Sequence, residues 1–300
     1  MMHVLITGGS GLIGRAVTRE LRAAGHAVAW LSRSAGNTDG VQRFAWDPEK
    51  GTIDPEAIRW TDVLIHLAGE GIAEKRWTSR RKQEIIRSRT RSTQLLIDAL
   101  VKGPHKVHTV IAASAIGYYG ETAAPGQEDA APGKGFLAES VQLWEQATAG
   151  FSATGARLVT LRIGVVLSSD GGAYTELIKT APLHVLPVVG SGKQICSWIH
   201  IDDVASLFRF AIERPLRGTF NAVSPEAVDM RTLMHTIAKL KKGYYLLPPV
   251  PAFAIRLVMG EMGDVVLTSQ HVSAEKLMQH GFVFQYRTLE SAIRQLEHTV

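Results

Sequence analysis

Apolar positions in the N-terminal half come in short runs that alternate with stretches of helical period. The runs lie near 2–7, 27–32, 41–46, 62–67, 107–113 and 157–163 and are rich in Val, Ile, Leu and Ala. Between them, apolar residues recur every three or four positions near 12–24, 79–102 and 136–153, with a shorter stretch at 55–59. The first set predicts buried strands and the second predicts helices. Strands apolar on both faces and separated by amphipathic helices predict an α/β protein with a parallel sheet covered on both sides. Right-handed crossovers make that sheet doubly wound, with its ligand crevice at the carboxyl ends of the strands. The Gly-, Pro- and Ala-rich loop at 117–135 follows a strand and so opens onto the crevice.

Past about residue 166 the alternation stops. Ser168 to Gly172 reads as a turn and 182–198 as an irregular excursion. Residues 199–213 read as a short strand and a helix, with Asp202 at the N-cap position, and Gly218 to Val223 as one more strand. Short helices punctuated by Pro248, Pro249 and Pro251 follow. The expected organisation is a nucleotide-binding unit over 1–167 plus 199–223, and a smaller C-terminal substrate lobe over 168–198 plus 224–300.

The segment Leu-Ile-Thr-Gly-Gly-Ser-Gly-Leu-Ile-Gly at 5–14 joins the first strand to the first helix. Gly8, Gly9, Gly11 and Gly14 lack the Cβ that would keep main chain away from a pyrophosphate, and Ser10, Leu12 and Ile13 complete the turn. An anion would sit at the helix N-terminus, where unpaired N–H groups and the dipole favour it. Strand before and helix after make this a dinucleotide site. About 20 residues past such glycines, a carboxylate marks NAD. Here Ser32 and Arg33 stand near that place, and no acid follows them before Asp39. A guanidinium with a hydroxyl suits a 2′-phosphate, so NADP is the expected cofactor.

The net charge of +5 is one patch. Residues 74–91 hold eight Lys or Arg against two Glu, leaving 25 basic and 26 acidic residues elsewhere. That run fits a solvated helix face, a nucleic-acid contact or a basic patch beside a phosphate-rich cofactor. It lacks the spread of a groove-tracking surface, which disfavours nucleic acid. No run is long enough for a membrane span, and with the first strand so near residue 1 no signal peptide is expected. The single cysteine, Cys196, is expected to pack as a small hydrophobe, and a cytoplasmic location is expected. No Cys/His cluster has metal-ligand spacing, so no metal site is expected.

Several segments together resemble the extended short-chain dehydrogenase/reductases, whose nucleotide unit is an NAD(P)-binding Rossmann fold. They are Thr7 to Gly14, His66-Leu67-Ala68-Gly69, and Ser114-Ala115-Ile116-Gly117-Tyr118-Tyr119-Gly120. More narrowly, the chain is similar to the atypical "epimerase family" of nucleoside-diphosphate-sugar epimerases, the YfcH-like group. That likeness rests on Ala68-Gly69-Glu70, Lys75-Arg76-Trp77, Ser88-Arg89, Gly164 to Leu167, Asp170-Gly171-Gly172, Gly190 to Gln194, Ser197 to Asp202, Gln270 to Leu277 and Gly281 to Phe284. It covers almost the whole chain. The resemblance implies that Ser32 and Arg33 hold the adenosine phosphate end and that Leu67, Ala68 and Gly69 pass under the ribose and pyrophosphate. It further implies that Glu84 and Arg89 face the cofactor and that Val165 touches the nicotinamide side. Analogy with the family allows a homodimer built on the helices near 79–102 and 136–153.

The chain departs from the family at its acid/base pair. Typical members carry Tyr-x-x-x-Lys on the helix after the crevice loop. None of the six tyrosines here has Lys four residues later, and registering Trp144-Glu145 on that helix puts Leu137 and Val141 in those places. Ser114 remains as a donor to a substrate carbonyl, Tyr118 or Tyr119 as a replacement proton donor, and Trp198 and His200 as residues bordering the substrate. The expected function is an NADP-dependent oxidoreductase or epimerase acting on a small polar or nucleotide-sugar molecule. The alternative is an NADP-binding sensor or regulatory protein without turnover.

Overall fold

The computed structural model describes residues 1–122 and 124–298. Strands β1 (His3–Thr7), β2 (Ala27–Ser32), β3 (Val41–Asp47), β4 (Val63–His66), β5 (Thr109–Ala115), β6 (Arg157–Ile163) and β7 (Gly218–Ala222) run parallel, in the order β7-β6-β5-β4-β1-β2-β3. The sheet is therefore wound in both directions from β1, and the crevice lies where the winding reverses. Helices α1 (Leu12–Ala23), α2 (Ser79–Lys102), α3 (Phe136–Ala149) and α4 (Ile201–Glu213) cover it. One apolar layer joins β-strand residues such as Ile6, Ile65 and Ile111 to α1 and α4. The other packs Leu5, Leu64 and Val110 against Leu96 and Leu100 of α2. Successive side chains of a strand point to opposite faces, so an unbroken apolar run fills both layers.

The helix ends follow local chemistry. The Thr78 hydroxyl accepts from the Arg81 N–H and starts α2, and Gly103 ends it. Helix α4 corrects one expectation: its N-cap is His200, whose Nδ1 accepts from the Asp202 N–H, and Asp202 sits in the first turn. The stretch expected to be helical over 136–153 is α-helical to Ala149 and continues as a 3₁₀ turn, Gly150–Thr154. Two short strands beside β3 were not expected. Gly36–Thr38 pairs antiparallel with β3 at the sheet edge, and Thr52–Ile53 pairs with its far end.

Beyond the sheet, α5 (Met230–Leu240) and α7 (Leu289–His298) enclose a second apolar cluster containing Leu167, Tyr174, Trp198, Met230 and Leu233. Cys196 is buried in it, and burial pushes its thiol up to about 12. Helix α6 (Ala252–Met259) starts after Pro251 and has no buried residue. Among the described residues, no helix is long and apolar enough to cross a membrane.

Candidate functional site

The glycine turn between β1 and α1 is shaped by what a side chain would strike. Gly8 has φ +69°, and a Cβ there would lie 3.1 Å from the Leu67 carbonyl carbon. At Gly9 it would meet the Trp30 ring at 2.3 Å, and at Gly14 the Gly8 carbonyl oxygen at 2.3 Å. Trp30 is itself fixed, because its indole N–H donates to the Thr18 hydroxyl at 2.9 Å. Gly11 is the N-cap of α1, with no side chain bonded there and no acid in the first turn. Ser10 and Gly11 are exposed, and Leu12 and Ile13 are half-buried, Leu12 beneath the 171–172 turn. Main-chain donors, the positive end of a helix and bare backbone thus converge on one exposed place, which fits a diphosphate.

At the end of β2, Ser32 is half-buried and Arg33 exposed, and among the described residues Arg33 makes no hydrogen bond or ion pair. The guanidinium is available to a ligand. No carboxylate occupies the β2 end where one would repel a phosphate.

A chain of hydrogen bonds holds the floor made by Leu67, Ala68 and Gly69. The Thr7 oxygen accepts from the Leu67 and Ala68 N–H groups, both at 3.0 Å. Its own hydrogen therefore goes to His66 Nδ1 at 2.8 Å. That leaves His66 Nε2 to donate to the Thr93 hydroxyl at 3.0 Å, and Thr93 to donate to the Arg89 carbonyl at 2.7 Å. Burial, with Arg89 nearby, lowers the His66 pKa to about 3, so the ring is neutral. Arg89 donates to the Glu70 and Ile85 carbonyls, lies over the Trp144 ring, and closes on Gly69, where a Cβ would be 3.0 Å from its guanidinium. Burial brings its pKa down to about 10. Glu84 is engaged: its carboxylate takes hydrogen bonds from Arg80 and Arg81. Arg81 also binds Glu70, beside Gly69, so Glu84, expected to face the cofactor, is held near that floor through an arginine.

Ser114 ends β5 but does not present a free donor. Its hydroxyl donates to Glu145 Oε1 at 2.5 Å, and the residue is 3% exposed. Glu145 is in turn clamped by the Arg162 fork, Nε to Oε1 and Nη2 to Oε2, both at 2.8 Å. Burial works against the Arg162 charge, but Glu145 outweighs it and holds the guanidinium pKa above its ordinary value. To donate to a carbonyl, as expected, the Ser114 hydroxyl would have to turn away from Glu145, while its lone pairs are open as it stands. Tyr119 is a buried strut, donating to Asn221 Oδ1 at 2.6 Å and accepting from Arg162 at 2.8 Å. Tyr118 is half-buried with the Arg162 guanidinium 3.5 Å above its ring.

Trp198 and His200 were expected to border the substrate. Both are fully buried. Trp198 fills the second apolar cluster, and His200 donates from Nε2 to Gln295 while its ring lies tilted against Tyr286 at 4.0 Å. They seal a seam. Val165 is half-buried on the short strand Val165–Leu167, which pairs with Trp198–His200. The residues missed from sequence are Glu145, Arg162, Asn221, His66 and Thr93. Arg162 alone carried a signal: a charge inside the apolar run of β6 needs a buried partner.

A model of the "NAD dependent epimerase/dehydratase family" matches residues 4–223, and one described as a "domain of unknown function (DUF1731)" matches 250–296. "Epimerase family protein YfhF" of Bacillus subtilis is 34% identical, with 98% of each chain covered. The crystal structure of human epimerase family protein SDR39U1 with NADPH superposes with a TM-score of 0.87 at 29% identity, covering all of both chains. The Thermus thermophilus UDP-glucose 4-epimerase complex with NAD matches at TM-score 0.78 and 22% identity, over 99% of this chain and 98% of that one, a likeness of fold alone.

Proposed function

The chain belongs to the NAD dependent epimerase/dehydratase family, and on that premise we propose that it binds NADP(H) and exchanges hydride with a small molecule in the adjoining crevice. The observation that carries this is the cradle itself, closed to any Cβ at Gly9 and Gly14 and flanked by an unengaged Arg33 at the β2 end. Gly8 to Gly14 would hold the diphosphate, Ser32 and Arg33 the 2′-phosphate, and Leu67 to Gly69 the underside, with Val165 toward the nicotinamide. NADPH in the human relative supports the phosphate preference. The division into a nucleotide unit and a substrate lobe is part of this reading, with the second apolar cluster as the core of the lobe.

The cofactor, when bound, supplies or accepts the hydride. The protein's own work is positioning and proton transfer. Ser114, its hydrogen held by Glu145, offers an acceptor at the end of β5. Between the two loop tyrosines we assign the proton to Tyr118, because the Tyr119 hydroxyl is already used by Asn221 and Arg162. An NADP-binding protein without turnover is the second reading, favoured by the engagement of Ser114 and the apolar Leu137 and Val141. Fluorescence titration with NADPH and NADH tests the cofactor; equal or tighter NADH binding refutes the proposal. Screening the loaded protein for turnover of carbonyl and alcohol compounds separates the two readings.

A further inference from the structure

Resting on that cofactor reading, we infer that the substrate half of the crevice takes a molecule with a hydrocarbon or aromatic body bearing a carbonyl or hydroxyl, instead of a nucleotide sugar. The inference starts from Leu137 and Val141, one turn apart at the start of α3. Both approach Gly117, with atoms 3.7 Å from where its Cβ would be. Gly117 lies three residues after Ser114, so these side chains stand at the carboxyl end of β5, beside the strand whose end forms the Leu67–Gly69 floor.

Around Leu137 the structure gathers Trp77, Ile85, Phe136, Met259, Met262 and Val265. They come from three separated parts of the chain: the approach to α2 and its second turn, the start of α3, and α6 with the segment after it. Trp77 and Phe136 meet edge to face at 4.8 Å, and the Trp77 indole N–H is spent on the Ile72 carbonyl at 2.8 Å. Trp77, Ile85 and Met262 are buried and form the base of the cluster, while half-buried Phe136, Leu137, Met259 and Val265 offer hydrocarbon and aromatic surface.

A nucleoside-diphosphate sugar needs unpaired cations for its phosphates and donors and acceptors for its hydroxyls. Three cations near this cluster, Arg81, Lys82 and Arg76, each have a partner. Arg81, 6% exposed, gives its guanidinium to the Glu70 and Glu84 carboxylates and the Gly71 carbonyl, at 3.0, 3.3 and 2.8 Å. Lys82 pairs with Glu261 and lies over the Phe136 ring. Arg76 donates to the Leu257 carbonyl. Apolar surface also continues outward along α6, which supplies Met259 and carries Phe253, Leu257 and Val258 at 73%, 76% and 73% exposure. An apolar body gains by covering such surface, while a diphosphate would have to compete with Glu70, Glu84 and Glu261 for Arg81 and Lys82.

The test uses the full-length protein. NADPH is titrated first by its fluorescence, and the loaded protein is then given octanal, acetophenone or UDP-glucose while its melting temperature and NADPH absorbance are followed. Octanal or acetophenone is expected to raise the melting temperature or to consume NADPH, the carbonyl carbon taking the hydride and its oxygen a proton from Tyr118, which water then reprotonates. UDP-glucose is expected to do neither. Val265→Asp on the half-buried rim should weaken the apolar response by about tenfold or more without moving NADPH binding, and Met259→Lys serves if that variant does not fold. A response to UDP-glucose alone, or to none of the three compounds by the NADPH-loaded protein, overturns the inference. Absence of NADPH binding instead brings down the cofactor reading first, and this inference with it.

Discussion

Thr7 and His66, the last residues of two neighbouring parallel strands, share a 2.8 Å hydrogen bond in which the threonine hydroxyl donates. The donation requires a neutral imidazole at Nδ1. Because the same Thr7 oxygen receives the Leu67 and Ala68 N–H groups, protonating His66 would disturb the floor of the cradle.

A pH dependence follows. In the unfolded chain His66 takes up a proton near its ordinary 6.5, whereas in the folded protein burial lowers its pKa to about 3. Its stability contribution is complete above pH 6.5 and is lost as pH falls toward 3, at up to about 1.4 kcal/mol per pH unit. Urea midpoints measured across this window should fall, and fall less steeply in His66→Gln. Parallel slopes for the two proteins would contradict the buried neutral ring.

Arg33 should decide between the two cofactors. Removing a charge-assisted contact to a phosphate costs about 1.5–3 kcal/mol. Arg33→Ala is therefore expected to weaken NADPH binding by roughly ten- to a hundredfold, leaving NADH unchanged. Calorimetric titration of both cofactors reads the difference directly; an unchanged NADPH affinity would place the phosphate elsewhere.

The Glu145–Arg162 pair is nearly enclosed, with side-chain exposures of 17% and 4%. Breaking it from one side leaves a buried charge uncompensated, so Glu145→Ala should cost about 3–5 kcal/mol in urea denaturation. Glu145→Leu combined with Arg162→Met should recover much of that loss, because neither charge is then stranded. Additive losses in the double variant would argue against a coupled pair.

The two loop tyrosines separate by what each loses as phenylalanine. Tyr119→Phe strips Asn221 and Arg162 of a shared partner and should cost about 1–3 kcal/mol of stability. Tyr118→Phe should leave the denaturation midpoint nearly in place and reduce hydride transfer, measured by single-turnover NADPH oxidation, by about a hundredfold or more. Equal effects on both quantities from both variants would dissolve the distinction.

Much of the architecture was legible because local patterns repeat a physical requirement. The bounds of α2 and β2 agree with the sequence reading, since Thr78 and Gly103 punctuate the one and a pure apolar run makes the other. The short strands Gly36–Thr38 and Thr52–Ile53 were invisible, because segments this brief show no period and form only through pairing with β3. The glycine turn was legible from its residues alone. The state of Ser114 was not: its partner Glu145 lies 31 positions away, and Glu145 is fixed by Arg162 on yet another strand. His200 likewise reads as a polar residue near a crevice until Gln295 and Tyr286 are folded against it.

Cys196 gives the protein a built-in reporter. The single thiol, enclosed by the α5–α7 cluster with its ionisation pushed to about 12, presents almost no thiolate to an alkylating reagent while the surrounding layers stay shut. The rate at which iodoacetamide modifies it under native conditions would therefore measure how often that region breathes, and a slower rate upon adding a ligand would register tightening of the lobe without any engineered label.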